Sequence, residues 1–484
     1  MSIAGALNNA LSGLTATAKG TETVASNLAN VMTPGYARRE LSVTSQPLGG
    51  GMGGVRIEGV TRMVNTSLVS EARLAGSSKS EMAILSDFFS DIGAVIGMPG
   101  EDSALGAALT GFHSALQAAI SRPDDELRLV EVVDSATRLA GRLNDASDQV
   151  QVARSTADAE IARNVVELNS SLETVALLNR KIARAQAEGA DASGLLDHRQ
   201  GVIDSLSKIV PVQEIPRENG SVALFTAGGA QLLDGSKPVE IKYHAIGQVT
   251  ADMNVGTPPV GRLIINGHEL TQDRMALFSG GALSANFAIR DEHAPQIQAE
   301  LDALAFDLHQ RVSAPTTDAT LAPGDPGLFT DAGQRADAVS LVGFSSRIEV
   351  NALVAPENGE VWRMRSGLGA TNAGPVGDSS LLSSIVDSLS VSLLPDAQSP
   401  FWGSGRLQDR FADLEARVTT RRVTAETELS MTTSRWEVVS GALMSEGVDS
   451  DAEMQRLLQY EQAYAANARV VQAIEEMMDQ ILRI

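Results

Sequence analysis

The sequence predicts a mainly α fold with a β insert. The expected form is an elongated antiparallel helical bundle built from both chain ends, carrying an all-β outer domain and coiled-coil-like terminal helices. Three observations predict it. Both ends carry an unbroken 4-3 apolar spacing, the mark of a helix with one packing seam. The stretch from Leu127 to Gln186 contains no proline and one glycine, Gly141. The interval from Val212 to about Arg290 instead breaks into short apolar runs divided by turn signals. Rods that return along one another bring the two termini side by side.

At the N-terminal end the seam runs from Ile3 through Leu7, Ala10, Leu14, Thr17, Thr21, Val24, Leu28 and Val31. Alanine and threonine make it weak, so this helix is expected to order mainly when partners cover it. Asn27 and Asn30 stand at the seam's edge near the helix end. In Thr33-Pro34-Gly35-Tyr36, the proline cannot continue the helix, the glycine supplies a turn, and the tyrosine can clamp the returning chain. The run Gly49 to Gly54 lacks the Gly-Lys-Ser/Thr ending of a phosphate loop. It reads as a flexible linker before the alternating Val55, Ile57 and Val60.

Helices are expected at about 66–96 and 103–121. Arg122-Pro123-Asp124-Asp125 then reads as a turn whose proline and acids open the next helix. That helix repeats apolar positions at Ile161, Val165, Leu168, Leu172, Val175, Asn179 and Ile182. At 1.5 Å per residue it would be a rod of roughly 90 Å.

In the insert, Val222–Phe225, Val239–Tyr243 and Arg262–Ile265 are strand candidates between turns such as Asp234-Gly235 and Asn266-Gly267. A further helix is expected at about 294–312. The stretch 315–375 is rich in Gly, Pro and Asp, with strand candidates near Val339–Val342, Arg347–Val350 and Val361–Arg365. Helical spacing resumes through Leu407, Phe411, Leu414, Val418, Leu429, Trp436, Val439 and Leu443. The closing seam is Leu457, Tyr460, Tyr464, Asn467, Val471, Ile474, Met478 and Ile481.

The expected division is therefore a terminal coiled-coil region (1–45 and 446–484) and a long helical bundle (46–211, 292–314 and 378–445). A β domain covers 212–291. Segment 315–377 is either part of the bundle or a small second outer domain. Periodicity alone leaves open whether the terminal helices pack on their own domain or on other subunits.

Composition narrows the functions. A formal net charge of −22 repels phosphate backbones and anionic lipid, so nucleic acid is not an expected partner. The absence of cysteine excludes disulfides and thiolate catalysis. No apolar run approaches a membrane span, so no membrane insertion is expected. With no basic residue before Lys19, the start does not resemble a cleaved secretory peptide. Among His113, His198, His244, His268, His293 and His309, none forms the zinc-protease pair; His268-Glu269 begins like one, but Gln272 stands where the second histidine belongs. No Gly-x-Ser-x-Gly elbow with a plausible His partner appears. No cofactor, metal site or catalytic constellation is expected, and the chain reads as a non-enzyme.

The segment Ala25-Ser-Asn-Leu-Ala-Asn-Val-Met-Thr-Pro-Gly-Tyr36, followed by Ala37-Arg38-Arg39, closely resembles the N-terminal signature of flagellar axial proteins. Rod, hook and junction proteins share that signature. Three other stretches resemble the family of hook-associated protein 1. They are Leu457 to Val471 with its Gln-x-Ala-Tyr, Leu195-Leu-Asp-His-Arg199, and Gly280-Gly-Ala-Leu283 through Arg290-Asp291 followed by Leu301-Asp-x-Leu-Ala305.

The resemblance implies a structural subunit at the hook–filament junction. It implies export through the flagellar type III apparatus without a cleaved signal, and an export chaperone on the C-terminal helix while the chain is in the cytoplasm. Outside the cell it implies contacts with hook protein, a second hook-associated protein and copies of itself. The seam residues Leu7, Leu14, Val24, Asn27, Leu28, Asn30, Leu457, Tyr460, Tyr464, Asn467, Val471, Ile474, Met478 and Ile481 would then be assembly surfaces. Another axial subunit, or a secreted flagellar enzyme, stands as the alternative.

Overall fold

The computed structural model describes residues 3–33, 35–48, 51–256, 259–394, 400–401 and 403–482. Helix α1 (Ile3–Ala29) turns into a hairpin of β1 (Arg39–Leu48) and β2 (Gly51–Arg62), paired antiparallel from Arg39↔Arg62 to Leu48↔Gly51. The glycine run expected as a linker thus belongs, from Gly51 to Gly54, to a strand. Ladder bonds use backbone groups alone, so missing side chains do not prevent pairing. The Val55 N–H donates to Ser12 Oγ at 3.1 Å and holds the hairpin on α1. A domain boundary at residue 45 would cut this hairpin.

Next come α2 (Thr66–Ile96), α3 (Leu105–Ser121) and α4 (Glu126–Ala187). Asn65 and Asp125 cap α2 and α4, accepting from the N–H of Leu68 and Leu127 at 3.1 Å each. Along α4 one buried stripe runs Leu129, Val132, Ala136, Leu139, Leu143, Ala146, Val150, Ala157, Ile161, Val165, Leu168, Leu172, Val175 and Ile182. Its polar members, Arg154, Asp158 and Asn179, are buried too.

After α5 (Ser193–Ile209), the strands β3 (Val212–Pro216), β4 (Val222–Thr226), β5 (Gln231–Asp234) and β6 (Lys237–Pro238) form an antiparallel meander. A second sheet joins β7 (Ile241–Lys242), β8 (Ile264–Ile265) and β9 (His268–Glu269). The all-β region ends earlier than residue 291. Helix α6 (Gly281–Ala288), a π turn (Ile289–His293) and α7 (Ala294–Val312) follow one another without a break. Alanine and leucine favour helix there, and Leu283 and Phe287 bury toward the sheet.

Segment 315–377 supplies β10 (Phe329–Asp331), α8 (Phe344–Arg347), β11 (Ile348–Val350) and α9 (Arg363–Ser366). β10 pairs with β11. The strand expected at Val339–Val342 is instead a 3₁₀ turn (Ala338–Ser340) with Val339 and Val342 exposed. Val361–Arg365 leads into α9. Among the described residues neither run has a neighbouring strand to pair with, and isolated β-propensity does not make a strand. Helices α10 (Ser380–Ser390), α11 (Leu407–Ser445) and α12 (Ser450–Leu482) complete the chain.

Two large apolar cores share the α4 rod. The first gathers α2, α3, the first half of α4, α7, α10 and α11, and it includes Leu328, Phe329, Phe344, Ile348 and Met364. The segment 315–377 therefore packs into the bundle core. The second joins Ile161 to Ala176 of α4 with α5 and the inner faces of the strands. Asparagines seat the strands on the rod: Asn169 exchanges hydrogen bonds with the backbone of Ile241 (2.6 and 3.2 Å), and Asn179 Nδ2 donates to Val222 C=O (3.0 Å) and Gly235 C=O (2.6 Å).

His309 lies in the first core, its ring against Phe306 and Phe344. Its Nδ1 faces the Phe329 carbonyl at 2.7 Å, while Nε2 is buried without a hydrogen-bond partner among the described residues. Burial holds His309 and His293 below the ordinary histidine pKa of 6.5. As pH falls, the unfolded chain takes up these protons first. Their contribution is fully present above about pH 6.5 and is lost as pH falls toward the folded values. The urea midpoint is expected to be lower at about pH 5.5 than at about pH 7.5, and His309→Gln should flatten part of that slope. A pH-independent midpoint across that window would contradict this.

Candidate assembly site

The signature turn folds around one side chain. Asn27, fully buried, accepts at Oδ1 from the Arg39 N–H and the Tyr36 hydroxyl, both at 2.9 Å. Its Nδ2 donates to the Arg39 carbonyl and to Glu453 Oε2, again both at 2.9 Å. Only an amide has donors and acceptors disposed to satisfy both backbone groups at once. Glu453 is itself buried on α12, with Arg456 at 3.1 Å and Arg38 at 3.9 Å. The two ends of the chain are thus closed on each other through a side-chain pair 426 residues apart.

The turn itself is built locally. Asn30 Nδ2 donates to Ser26 C=O at 2.8 Å, and Thr33 Oγ1 donates to Asn30 Oδ1 at 3.2 Å. Gly35 adopts φ +78°, the left-handed region. Pro34 lies outside the described residues.

Helices α1 and α12 pack along their lengths. The face α1 turns to α12 is composed of small residues. A Cβ on Gly13 would come within 2.7 Å of Asn467 Nδ2, and one on Gly20 within 2.5 Å of the Tyr460 ring. Ala10, Thr17 and Val24 are buried; Leu7, Leu14 and Leu28 are half-buried at its edges. On α12, Ile474 is buried, and Leu457, Tyr460, Asn467 and Val471 are half-buried. Tyr464, Met478 and Ile481 are exposed, as are Leu458, Val470, Met477 and Leu482. In an ordinary helix Gly→Ala stabilises by about 1 kcal/mol. Gly20→Ala should reverse that sign and weaken the pair by about 1–3 kcal/mol, because the tyrosine ring must move. Faster amide exchange in α1 and α12 of the variant is the expected result; slower or equal exchange would contradict it.

The Leu195–Arg199 stretch supplies two more anchors, neither recognisable from spacing. Asp197 accepts from Arg39 Nη2 (3.0 Å), Arg62 Nε (2.8 Å) and the Ala37 N–H (3.3 Å). Arg199 donates to Asn179 Oδ1 (2.9 Å) and Gly220 C=O (2.7 Å), on the β side of α5. Glu453, Arg62, Gly13 and Gly20 carry no apolar periodicity to find them by, and Asp197 is marked only by the resemblance of the Leu195–Arg199 stretch.

Among the described residues no group of three or more His, Cys, Asp or Glu is placed to hold a metal ion, and no helix is long and apolar enough to cross a membrane.

Residues 90–328 match the family described as flagellar hook-associated protein FlgK helical domain. Residues 7–36 match the flagella basal body rod protein family, and residues 439–484 match the flagellar basal body rod FlgEFG protein C-terminal family. Flagellar hook-associated protein 1 of Bacillus subtilis is 22% identical over 509 aligned residues, spanning 98% of this chain and 97% of the relative. The protein of that name in Salmonella typhimurium is 27% identical over 237 residues, spanning 48% of this chain and 42% of the relative. The match thus spans about two fifths of that relative's length. The flagellar hook junction protein FlgK from Burkholderia pseudomallei aligns with a TM-score of 0.46 at 23% identity, covering 55% of this chain and 47% of that one.

Proposed function

From the premise that this chain belongs to the family of flagellar hook-associated protein 1, we propose that it is a non-enzymatic structural subunit joining hook to filament. The observation that carries the structural-subunit part of this reading is the closure of the ends, in which Asn27 and Glu453 lock the signature turn to α12. Closure makes one assembly unit from two distant segments, and α12 still offers exposed Leu458, Val470, Met477 and Ile481 to neighbours. Exposed large apolar side chains on a helix favour protein contacts.

In this reading the terminal unit packs in the axial core against hook protein, a second hook-associated protein and copies of this chain. The helical bundle forms the next shell and the β domain faces outward. The chain reaches that place through the flagellar type III system, after an export chaperone has covered the apolar face of α12. A rod or hook role would use the same ends. The match of residues 90–328 to the hook-associated helical domain favours the junction. In a strain lacking the gene, intact hooks without filaments are expected, with flagellin shed into the medium. Filaments growing on such hooks would sink the proposal.

A further inference from the structure

Among the described residues, no cluster of buried apolar side chains crosses from the terminal unit (α1, the hairpin and α12) into the rest of the chain. The buried members of all three clusters lie between Phe88 and Ala425. What crosses instead is polar. Asp197 on α5 binds Arg39 and Arg62, one from each strand of the hairpin, and the backbone of Ala37. Gln200, one turn further along α5, accepts from Arg62 Nη2 at 3.0 Å. The covalent connections are two short segments, 63–65 and 446–449, bridged by Asn65 Nδ2 donating to Glu446 Oε1 at 3.0 Å.

Grooves flank this contact. One of about 740 Å³ runs between Asn30, Tyr36 and Arg39 on the terminal side and Ser170, Thr174 and His198 on the body. Another, of about 680 Å³, is lined by Val31 and Met32 facing Val69, Trp436 and Leu443. An apolar core resists bending because its packing is a jigsaw, whereas a few half-sheltered ion pairs can exchange with water. Side-chain exposures of 13% for Asp197, 18% for Arg39 and 14% for Arg62 leave the three mostly sheltered yet still reached by solvent, unlike the fully packed apolar cores.

We propose that Asp197 is the latch of an elbow. It fixes the angle between the terminal helix pair and the bundle, and the pair swings about segments 63–65 and 446–449 when the latch opens. Two short connections with few crossing contacts are what a hinge requires. The latch also communicates outward. Arg199, two residues on in the same helix, holds Asn179 of the rod and Gly220 of the β region. A shift of α5 therefore moves the seat of the terminal unit and the anchor of the β sheet together. Asp197 is a positioning residue, since it acts on the terminal unit through the hairpin.

The chain has no cysteine, so paired spin labels can be placed without background. Ala18→Cys on α1 and Glu173→Cys on α4, both exposed, report the elbow in the purified full-length chain. Without further change, one narrow distance is expected. Asp197→Ala should broaden that distribution roughly twofold or split it, while the far-UV circular dichroism melt keeps its helical amplitude. Arg62→Gln, which removes one arm, should broaden it less. If Asp197→Ala loses helix, the pair Arg39→Gln with Arg62→Gln opens the latch from the other side and should broaden the distance in the same way. An unchanged narrow distance in the latch-open variants would overturn the proposal, as would an equally broad one in the unaltered chain. The outcome does not depend on whether a deletion strain grows filaments, so the elbow and the junction role fail separately.

Discussion

Asn27→Ala should release the two ends of the chain from each other. The side chain is fully buried and makes four hydrogen bonds, so its removal strands the Arg39 N–H and C=O and one oxygen of Glu453, and leaves the Tyr36 hydroxyl only Ser26 Oγ at 3.4 Å. An unsatisfied buried group costs about 1–3 kcal/mol, more when charged; water entering the gap recovers part of it. The net loss for the terminal unit is expected at about 3–5 kcal/mol, at the severe end for one substitution. Asn27→Asp keeps the shape but replaces the amide donor with an oxygen facing Glu453, and like charges at that distance repel. It should therefore behave nearly as badly as alanine. Asn30→Ala is the contrasting case, because its bonds to Ser26 and Thr33 are local and half-exposed. A loss of about 0.5–1 kcal/mol is expected there. Hydrogen exchange in α1 and in the first turns of α12 reads all three. Equal protection in Asn27→Ala and the unaltered chain would show that the turn does not depend on this side chain. In cells, the same variant should leave hooks with few filaments if the junction role holds.

The elements legible in the sequence were those with local punctuation. Helix α2 starts and stops where periodicity placed it, because Asn65 caps it and Gly97 and Pro99 follow it. Helix α4 starts within a residue of expectation because Pro123 and Asp125 fix its first turn. The terminal seam was less legible. The 4-3 seam does contain the buried Ala10, Thr17 and Val24, but it gives equal weight to Leu7, Leu14 and Leu28, which sit at the edges of the contact. The close approach is made by Gly13 and Gly20, whose value lies in what they lack. Asn27 stands in a recognisable motif, yet its partner Glu453 lies at the other end of the chain and no spacing rule connects them. Likewise, a rod stripe containing Arg154 and Asp158 reads as an interruption until the β region is folded onto it. Tertiary partners decide such residues, and a one-dimensional pattern holds no record of them.

Arg290→Met is the second substitution with a large expected effect, and it acts where those interruptions meet. Asp158 is fully buried and Arg290 is 1% exposed. Arg290 Nη1 lies 3.0 Å from Asp158 Oδ1, and both side chains contact the Tyr243 hydroxyl, which donates to Asp158 and accepts from Arg290. Burial pushes the Tyr243 phenol well above its ordinary range, so it stays protonated as that donor. The Ile246 N–H donates to Asp158 Oδ2 at 2.7 Å, and Arg154 donates to the carbonyls of Thr250 (2.9 Å), Met253 (2.6 Å) and Arg290 (3.1 Å). Loop 243–253 is thereby fastened to the rod and the π turn. Removing the cation leaves Asp158 charged in the interior, which costs about 3–5 kcal/mol for a broken buried pair. Removing the anion instead is milder, because Arg290 keeps Asp291 at 2.7 Å. Asp158→Asn should thus cost less than Arg290→Met. The double variant should fall short of the sum by about 1–3 kcal/mol, since neither charge is then left alone. Amide exchange over residues 241–253 is the direct readout, because it reports the opening of this loop separately from global unfolding. Strict additivity of the two substitutions, or protection of that loop in Arg290→Met, would mean that the ion pair does not fasten the β region to the rod.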